Sequence, residues 1–314
     1  MSMCIFGSLN MDLVIRTLQL PLPGETVQGR EFETIPGGKG ANQAIAVQRL
    51  GHSAHMVGRV GDDPHGQELV AHLAREGVEV SGISASPLIP TGVAMVIVDE
   101  ASGDNQIVVF AGANSLVGAG DLDQLRTGLA GVDMLLLQME IPMPAVVAAA
   151  RLAKEMGVKV ILDPAPAPVA LPDELYGLVD ILTPNQTEAS RLAGFNINTP
   201  TGAQRAAEKL QRLGAGAVVV TLGEAGACCA TGDGVLQIPP FSVLGIDATG
   251  AGDAFNAALA VGLAEGNSLY ESLIWGSASG ALTVTKAGAQ NGLPTRGELE
   301  EFMSTHVADD TASH

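Results

Sequence analysis

Basic residues are scarce in this chain: 16 Lys and Arg stand against 34 Asp and Glu, a formal net charge of −18. A surface with such an excess of negative charge repels nucleic acid and anionic membranes, so we expect neither as a partner. It also repels polyanions such as ATP. A phosphate site would therefore need local sources of positive potential: backbone N–H groups, a helix N-terminus or a metal ion.

Cysteine and long apolar runs are rare as well. Of the three Cys, Cys228 and Cys229 are adjacent, a spacing that seldom forms a disulfide. We therefore expect no disulfide framework and a reducing, cytoplasmic setting. The apolar runs fall short of the roughly 18 residues that a membrane-spanning helix needs. Since no basic segment precedes the first apolar run, we expect no signal peptide.

Short runs of Val, Ile and Leu alternate along the chain with helical segments. This alternation is typical of a parallel sheet covered by helices on both faces. The sequence therefore predicts a three-layer α/β/α fold with a mostly parallel, Rossmann-like sheet, formed by residues 1–12, 37–90 and 112–314. Residues 13–36 and 91–111 break the alternation with extended segments. They predict a small, separate β-sheet that covers the carboxyl edge of the main sheet as a lid.

The run DATGAGD at 247–253 enters a helical segment. The small residues Gly250, Ala251 and Gly252 would leave backbone N–H groups unshielded at the helix start, which makes an anion pocket. A carboxylate there would repel a phosphate. We therefore interpret Asp253 as a general base that takes a proton from a hydroxyl as it attacks phosphorus, a role typically worth about 10²–10⁴ in rate. On this segment alone, a helix cap is the alternative.

A glycine-rich stretch at 36–42 opens another helical segment and would project Asn42 from its first turn. It is not a Walker A loop, because the chain has no G-x-x-x-x-G-K-[ST]. A simple glycine-rich turn is the alternative. Asp12 and Glu140 each follow a predicted strand, where a ligand at the carboxyl edge would lie. Each could equally be a solvated surface acid.

Asn185 and Glu188 lie three residues apart and would share one face of a starting helix. This arrangement suits a hydrated Mg²⁺, and it equally suits a helix cap. The segment TLGEAG at 221–226 is a strand followed by a glycine-containing turn. It is compatible with binding the phosphates or ribose of a nucleotide.

Together these segments resemble a known family. GGKGANQAIAVQRLG at 37–51 and DATGAGD at 247–253, continuing into AFNAAL, are similar to the N- and C-terminal signatures of the ribokinase (PfkB-type) carbohydrate kinases. The Asn185-x-x-Glu188 element matches the family too, and the resemblance covers residues 3–303. It implies a ribokinase-like fold and transfer of the ATP γ-phosphate to a sugar hydroxyl. The family's lid strands often pair between subunits, which implies a homodimer.

The resemblance also implies the site residues. Asp253 would be the base, with Gly250–Gly252 as the anion hole. The implied sugar contacts are Asn10, Asp12, Gly38, Lys39, Asn42, Glu140 and Asp253, with Ala94 and Ile107 as apolar lid residues. The implied ATP contacts are Asn185, Thr221, Gly223, Gly226, Gly252 and Ser277, where Ser277 replaces the family's usual Asn or His beside adenine.

Two cations follow from the same resemblance. Asn185 and Glu188 would hold Mg²⁺ indirectly. A monovalent cation, usually K⁺, would lie beside the anion hole, held by Asp247 and by carbonyl groups of Thr249, Thr283, Lys286 and Gly288. Gly292 stands where the family resemblance leads us to expect a Ser that helps this site.

Within the family, the sugar contacts and the segments DPAPAP (163–168) and AGAN (111–114) point to D-ribose, phosphorylated at O5. Kinases for fructose, a nucleoside or 2-keto-3-deoxygluconate are the alternatives of the same class. A sugar- or nucleotide-binding protein without catalysis is the alternative of another class. A dinucleotide-dependent dehydrogenase is disfavoured, since no G-x-G-x-x-G follows the first strand.

Overall fold

The structure, a computed structural model, describes residues 2–102 and 104–311. These residues form thirteen strands: β1 (Ser2–Phe6), β2 (Asn10–Thr17), β3 (Gly29–Gly37), β4 (Ser53–Gly61), β5 (Glu79–Ser86), β6 (Gly92–Asp99), β7 (Asn105–Phe110), β8 (Met134–Leu137), β9 (Lys159–Leu162), β10 (Ile181–Leu182), β11 (Ala217–Thr221), β12 (Ala227–Thr231) and β13 (Gly234–Ile238).

The same described residues form eleven α-helices: α1 (Lys39–Arg49), α2 (Pro64–Arg75), α3 (Leu122–Gly128), α4 (Met143–Glu155), α5 (Asp173–Tyr176), α6 (Gln186–Ala193), α7 (Pro200–Gln211), α8 (Ala251–Ala264), α9 (Leu269–Thr283), α10 (Ala289–Gly292) and α11 (Arg296–Thr311). Short 3₁₀ turns lie at Gly112–Leu116, Ala119–Asp121 and Gly223–Ala225.

Nine strands form the main sheet, in the order β13-β12-β11-β10-β9-β8-β1-β4-β5. Every pairing from β11 to β5 is parallel, and β12 runs antiparallel to both of its neighbours. Successive side chains of a strand point to opposite faces. In β1, Met3 and Ile5 enter one apolar core while Cys4 and Phe6 enter the other, and all four are fully buried. Both faces of the sheet are therefore covered.

Two groups of helices provide that cover. Leu125 of α3, Val146 of α4 and Leu210 of α7 pack on the face that holds Phe6. Ile45 of α1 and Leu259 of α8 pack on the opposite face. The predicted three-layer α/β/α fold with a mostly parallel sheet is confirmed.

Other elements carried too weak a pattern to be predicted. β5 has the sequence EVSGISAS and β12 has ACCAT, so neither shows a run of large apolar residues. The helices α5 and α10 have four residues each. Elements this short or this polar form here because the strands and helices around them supply partners, which a local pattern does not report.

A separate four-stranded sheet has the order β3-β2-β6-β7. Strand β2 pairs with β3 in antiparallel and with β6 in parallel orientation, so that Asn10 lies opposite both Gly37 and Gly92. This places the start of β2, the end of β3 and the start of β6 at one end of the small sheet, where each strand continues into the main domain. Strand β7 is exposed along its whole length.

Cys4, Cys228 and Cys229 are buried free thiols, so none of the three forms a disulfide in this structure. Among the helices of residues 2–102 and 104–311, none has the length and apolar character needed to cross a bilayer.

Candidate active site

Residues of the candidate site meet at the carboxyl edge of the main sheet. The predicted contacts Asn185 and Thr221 follow β10 and end β11, and Asp163, which was not among the predicted contacts, directly follows β9. Asn185 and Thr221 form an isolated parallel bridge, which fixes these two loops side by side. Open parallel sheets bind their ligands at this edge because the loops after neighbouring strands converge there.

Helix α8 begins over this edge. Its N-cap is Gly250 with φ +82°, a left-handed conformation that favours glycine, and a Cβ there would lie 3.0 Å from the Ala289 carbonyl oxygen. Gly250, Gly252 and Asp253 line a cavity of about 520 Å³. Because Gly250 and Gly252 line this cavity, the start of the helix faces it, as an anion pocket requires. Of the three N–H groups predicted for that pocket, the one of Ala251 donates to the Ala248 carbonyl at 3.3 Å.

Asp253 lies in the first turn of α8 and is 3% exposed. Its Oδ2 accepts a hydrogen bond from Asn42 Nδ2 at 2.9 Å, and its Oδ1 accepts one from Gln43 Nε2 at 3.1 Å. The carboxylate therefore binds to α1, while the cap of its own helix has no side-chain hydrogen bond. The helix-cap alternative does not hold in this structure.

Burial raises the pKa of Asp253 to about 6. The positive charge of Lys39 and the amide donors of Asn42 and Gln43 oppose this rise, and the negative charge of Asp163 adds to it. A carboxyl with this pKa is mostly ionised at neutral pH, and it is more basic than an ordinary Asp. Both properties suit a general base.

A second buried carboxylate lies beside the first. Asp163 accepts hydrogen bonds from Lys39 Nζ at 3.3 Å and from Gln43 Nε2 at 3.4 Å. Burial raises its pKa to about 6, against the charge of Lys39. Burial by itself would lower the pKa of Lys39, but the surrounding carboxylates, Asp163 and Asp253 first, raise it. Lys39 is thus held as a cation between two acids.

The amide of Gln43 joins these two acids. Its Nε2 donates to both carboxylates, and its Oε1 accepts a hydrogen bond from Gln138 Nε2 at 2.6 Å. Gln138 follows β8 and fills the space beside Gly7, where a Cβ would lie 2.0 Å from Gln138 Oε1. The loop after β1 therefore needs glycine at this position to make room for the amide network.

Asn10 and Asp12 lie at the start of β2, where the small sheet joins the main domain. Asn10 is buried, and its Oδ1 accepts a hydrogen bond from Asn114 Nδ2 at 2.8 Å. Asn114 also binds both the N–H and the carbonyl of Leu9 at 3.0 Å. Burial, and secondly the charge of Glu140, raise the pKa of Asp12 to about 7.

Two glycines bring α1 close to these side chains. A Cβ at Gly37 would lie 2.5 Å from Asp12 Oδ2. Gly38, the N-cap of α1, has φ +91°, and a Cβ there would lie 2.7 Å from the Asn10 backbone nitrogen. Glu140 completes this corner, since its Oε2 accepts hydrogen bonds from Ser8 Oγ at 2.5 Å and from the Lys39 N–H at 3.0 Å.

The two predicted lid residues occupy different surroundings. Ala94 of β6 pairs directly with Asp12 and is buried. Ile107 of β7 pairs with Val96, two residues further along β6, and is 55% exposed. Because residues at even spacing share a face of a sheet, Ala94 and Ile107 lie on the same face as Asp12.

The remaining predicted ATP contacts line a neighbouring cavity of about 730 Å³. Thr221, Gly223, Gly226, Gly252 and Ser277 all contribute to its wall. The cavity that contains Asp253 shares Thr221, Gly223 and Gly252 with it, so the two cavities are contiguous. The structure therefore places a large cleft and a smaller polar pocket on the two sides of the α8 N-terminus.

Asn185 and Glu188 form a reciprocal capping box at the start of α6. Asn185 Oδ1 accepts from the Glu188 N–H at 3.0 Å, and Glu188 Oε2 accepts from the Asn185 N–H at 2.8 Å. The capping alternative is therefore present in the structure. Both residues also line the cavity that contains Lys39, Asp163 and Asp253. Because a carboxylate has about four acceptor positions and Mg²⁺ keeps several waters, capping leaves Glu188 compatible with a hydrated ion.

The candidate residues for a monovalent cation lie in two adjoining loops. The carboxylate of Asp247 accepts hydrogen bonds from the N–H and hydroxyl of Thr249, and from the Gly288 N–H at 2.9 Å. The carbonyl of Thr283 accepts from the Lys286 N–H at 3.2 Å. Carboxylate and carbonyl oxygens are the donors that K⁺ takes from proteins, so the donor set fits.

The backbone at Gly292 lies close to Thr283, one of the candidate cation residues. A Cβ there would lie 2.8 Å from the Thr283 carbonyl oxygen, so a Ser would require the loop to shift. The glycine therefore fits the closely packed backbone in this chain.

Comparisons with known proteins identify the family of this chain. The family model described as "pfkB family carbohydrate kinase" matches residues 1–296. The chain belongs to this family. Ribokinase from Haemophilus influenzae is 39% identical over 302 residues, covering 96% of this chain and 98% of the relative. Ribokinase from Bacillus subtilis is 40% identical over 304 residues, covering 96% and 99%.

Solved structures of pfkB-type kinases have the same fold. Ribokinase from Thermotoga maritima superposes with a TM-score of 0.88 at 35% identity, covering 96% of this chain and 99% of the other. Ribokinase from Arabidopsis thaliana, complexed with ribose and ATP, has a TM-score of 0.87 at 34% identity, covering 96% and 98%.

Four buried amide side chains in this pfkB-family site were not predicted from the sequence: Gln43, Asn114, Gln138 and Gln290. The sequence could have indicated Gln43, because it is a polar residue inside a segment whose neighbours, including Ala44 and Ile45, are apolar. No local pattern indicates the hydrogen bonds of the other three, since their partners lie 95 or more residues away in the chain.

Proposed function

We propose that this chain is an ATP-dependent ribokinase, which transfers the γ-phosphate of ATP to O5 of D-ribose and yields ribose 5-phosphate and ADP. One observation carries the proposal: the buried carboxylate of Asp253 lies at a helix N-terminus and lines a polar pocket that is contiguous with a larger cleft. The similarity to ribokinases over nearly the whole chain supports ribose as the acceptor.

In this proposal, Asp253 accepts the proton of the sugar hydroxyl as the oxygen attacks the γ-phosphorus. Its pKa of about 6 keeps it ionised at neutral pH, and Asn42 and Gln43 hold its two oxygens. The N–H groups of Gly250–Gly252 stabilise the negative charge that develops on the transferred phosphoryl group. Positioning and electrostatics supply most of the catalysis in such transfers.

The sugar pocket is formed by Asn10, Asp12, Gly38, Lys39, Asn42 and Glu140, with Ala94 and Ile107 as its apolar cover. Carboxylates and amides bind a compact, hydroxyl-rich molecule well because each can accept or donate several hydrogen bonds. The nucleotide lies in the larger cleft, along Thr221, Gly223, Gly226 and Ser277, with its phosphates near Gly252 and Asn185.

Two cations complete the proposal. Asn185 and Glu188 hold Mg²⁺ through water, and this ion neutralises charge on the phosphates. Asp247 and the carbonyl groups of Thr249, Thr283, Lys286 and Gly288 hold a monovalent cation such as K⁺, which adds positive charge beside the anion pocket. Both cations compensate for the acidic surface of the protein.

The small sheet, residues 13–36 and 91–111, acts in this proposal as a lid. Its closure over the sugar would exclude water and with it futile ATP hydrolysis. Large apolar side chains are exposed on it, among them Phe32, Met95, Val108 and Phe110. Because exposed apolar patches mark interaction surfaces, we propose that the lids of two copies pair in a homodimer. Light scattering that gives the mass of a monomer at micromolar concentration would contradict this part.

A screen of ADP release across ribose, fructose, 2-keto-3-deoxygluconate and a nucleoside, each with and without KCl, tests the proposed function. We expect the highest kcat/KM with ribose, and a higher rate with KCl. Preference for another acceptor would end the ribose assignment. If calorimetry detects ribose and MgATP binding while no ADP forms, the catalytically silent alternative is correct.

A further inference from the structure

A chain of hydrogen-bonded side chains leads from Asp253 away from both cavities. Asn42 Nδ2 donates to Asp253 at 2.9 Å, Gln290 Nε2 donates to Asn42 Oδ1 at 2.9 Å, and His72 Nε2 lies 2.8 Å from Gln290 Oε1. Asn42 and Gln290 are 5% and 4% exposed. Water therefore has little access to replace these bonds, and each amide depends on the next for its orientation.

The chemistry of Asp253 fixes the direction of every bond in this chain. An ionised carboxylate can only accept, so the end of Asn42 that faces it is the NH₂ group. The carbonyl end of Asn42 then faces Gln290 and needs a donor, which only the NH₂ group of Gln290 can supply. The carbonyl of Gln290 in turn accepts from the Nε2–H of His72.

Gln290 itself is firmly anchored. It lies in α10, between the candidate cation residues Gly288 and Gly292. Its backbone carbonyl accepts a hydrogen bond from Arg49, which also donates to the Leu293 carbonyl at 3.2 Å and to Glu76. Helices α1 and α2 thus hold both the backbone and the side chain of Gln290.

We propose that Gln290 is a positioning residue for phosphoryl transfer, which keeps the NH₂ group of Asn42 directed at the base Asp253. Without it, the Asn42 amide can turn and present its carbonyl oxygen to the carboxylate, where two acceptors repel. The base would then lose a donor that aligns it with the sugar hydroxyl. This inference rests on the proposed kinase function and assigns a role to a residue outside both cavities.

Two variants of nearly the same size separate orientation from packing. Gln290→Met removes both hydrogen bonds and introduces no charge. Gln290→Glu keeps the shape and the acceptor for His72, but it replaces the donor to Asn42 with an acceptor, which favours the turned amide. We expect kcat with ribose to fall about 3–10-fold in Gln290→Met and about 30-fold or more in Gln290→Glu, because a lost neutral hydrogen bond costs less than an opposed charged one.

The ribose KM should change less than the kcat in both variants, since Asp253 acts on the transition state. Asn291→Asp is the matched control: it adds the same charge at the next position, where the side chain is exposed, and should keep kcat within about twofold. A structural role alone would lower the unfolding temperature of both variants and leave the kcat of the folded protein within about twofold of the wild type. A kcat of Gln290→Glu equal to that of the control would therefore overturn the inference.

The proposed function is tested separately, by ADP release from the wild-type chain with ribose. If the wild type is inactive, the kinase assignment fails, and the inference with it. If the wild type is active and the variants behave like the control, only the inference fails. Thermal unfolding of each variant shows whether it folds. Should Gln290→Glu not fold, an unchanged kcat in Gln290→Met would contradict the role, and a 3–10-fold loss at constant KM would support it.

Discussion

The two sides of the α8 N-terminus differ in the kinds of residues that form them. On the side of Asn42 and Lys39, the polar side chains are buried or half-buried, and Lys39, Asn42 and Asn10 each form a hydrogen bond with another side chain. On the side of Ser277 and Gly223, small residues, backbone and apolar side chains form most of the wall, beside the acids Glu224 and Asp247. Leu244 and Ile246 in the nearby loop are exposed.

This difference shows where each side obtains its selectivity. A network of buried carboxylates and amides has one low-energy arrangement, because each polar atom that loses its partner costs about 1–3 kcal/mol. In the proposed function, the pocket would therefore discriminate between sugars by the positions of their hydroxyls. The proposed nucleotide cleft would tolerate variation in the nucleotide, since shape and backbone contacts would do most of the binding.

The largest effect we expect follows from neutralising the base. Asp253→Asn keeps the size of the side chain and removes its ability to take a proton, so turnover should fall by about 10²–10⁴ while ribose binding stays measurable by calorimetry. Asp233→Asn, at an exposed acid in the turn between β12 and β13, serves as the control. Turnover near the wild-type value in Asp253→Asn would end the assignment of the base.

Adding one methyl group on each side of the α8 N-terminus should affect the stability of the fold differently, because Gly38 is closely packed and Gly252 is not. In Gly38→Ala, the left-handed φ and the contact with the Asn10 backbone should lower the free energy of unfolding by about 1–3 kcal/mol and raise the ribose KM. At Gly252, which lies in a helix, a Cβ would have open space within 4 Å, so Gly252→Ala should unfold at the wild-type temperature.

We nevertheless expect Gly252→Ala to weaken ATP binding. The methyl group of Gly252→Ala would occupy space beside the N–H groups proposed to bind phosphate, so the ATP KM should rise while the ribose KM stays constant. Steady-state kinetics with each substrate varied in turn, together with thermal unfolding, checks both variants. A drop in stability for Gly252→Ala as large as for Gly38→Ala would remove the contrast.

The pH dependence of kcat should come from Asp253, the proposed base. Burial raises the pKa of Asp253 to about 6, and the base must be ionised, so kcat at saturating ribose and MgATP should fall as the pH drops below about 6. Asp163 adds to that rise, so Asp163→Asn should move the midpoint to lower pH. A pH–rate profile whose acidic limb is the same in both proteins would contradict the coupling.

Three buried or half-buried carboxyls with raised pKa values also make the free energy of unfolding depend on pH. Asp12, Asp163 and Asp253 have folded-state pKa values of about 7, 6 and 6, above the ordinary 3.8. Between these limits the three carboxyls bind more protons in the folded state than in the unfolded state, so their contribution to the free energy of unfolding falls as pH rises from about 4 to 7. Denaturant unfolding at pH 5 and 7 measures this, with Asp253→Asn expected to reduce the difference.

The smallest effect should come from the proposed adenine end of the cleft. The half-buried Ser277 lines the cavity beside Phe255 and Gly280. Ser277→Ala should change the ATP KM by less than about threefold and leave kcat unchanged, because one neutral hydrogen bond contributes little net free energy. An ATP KM more than tenfold higher would show that the cleft recognises the nucleotide through this side chain.

By itself, the sequence determined the layered α/β fold, the separate small sheet and the position of Asp253 at a helix start. These features follow from periodicity and from glycines within a single segment, where neighbours in the chain are neighbours in space. The tertiary structure decided how Asp253 is held. Its carboxylate binds Asn42 and Gln43 across 211 and 210 residues, and Gln290 orients Asn42 across 248. Hydrogen bonds over such separations depend on how the helices pack, and a local pattern contains no information about that packing.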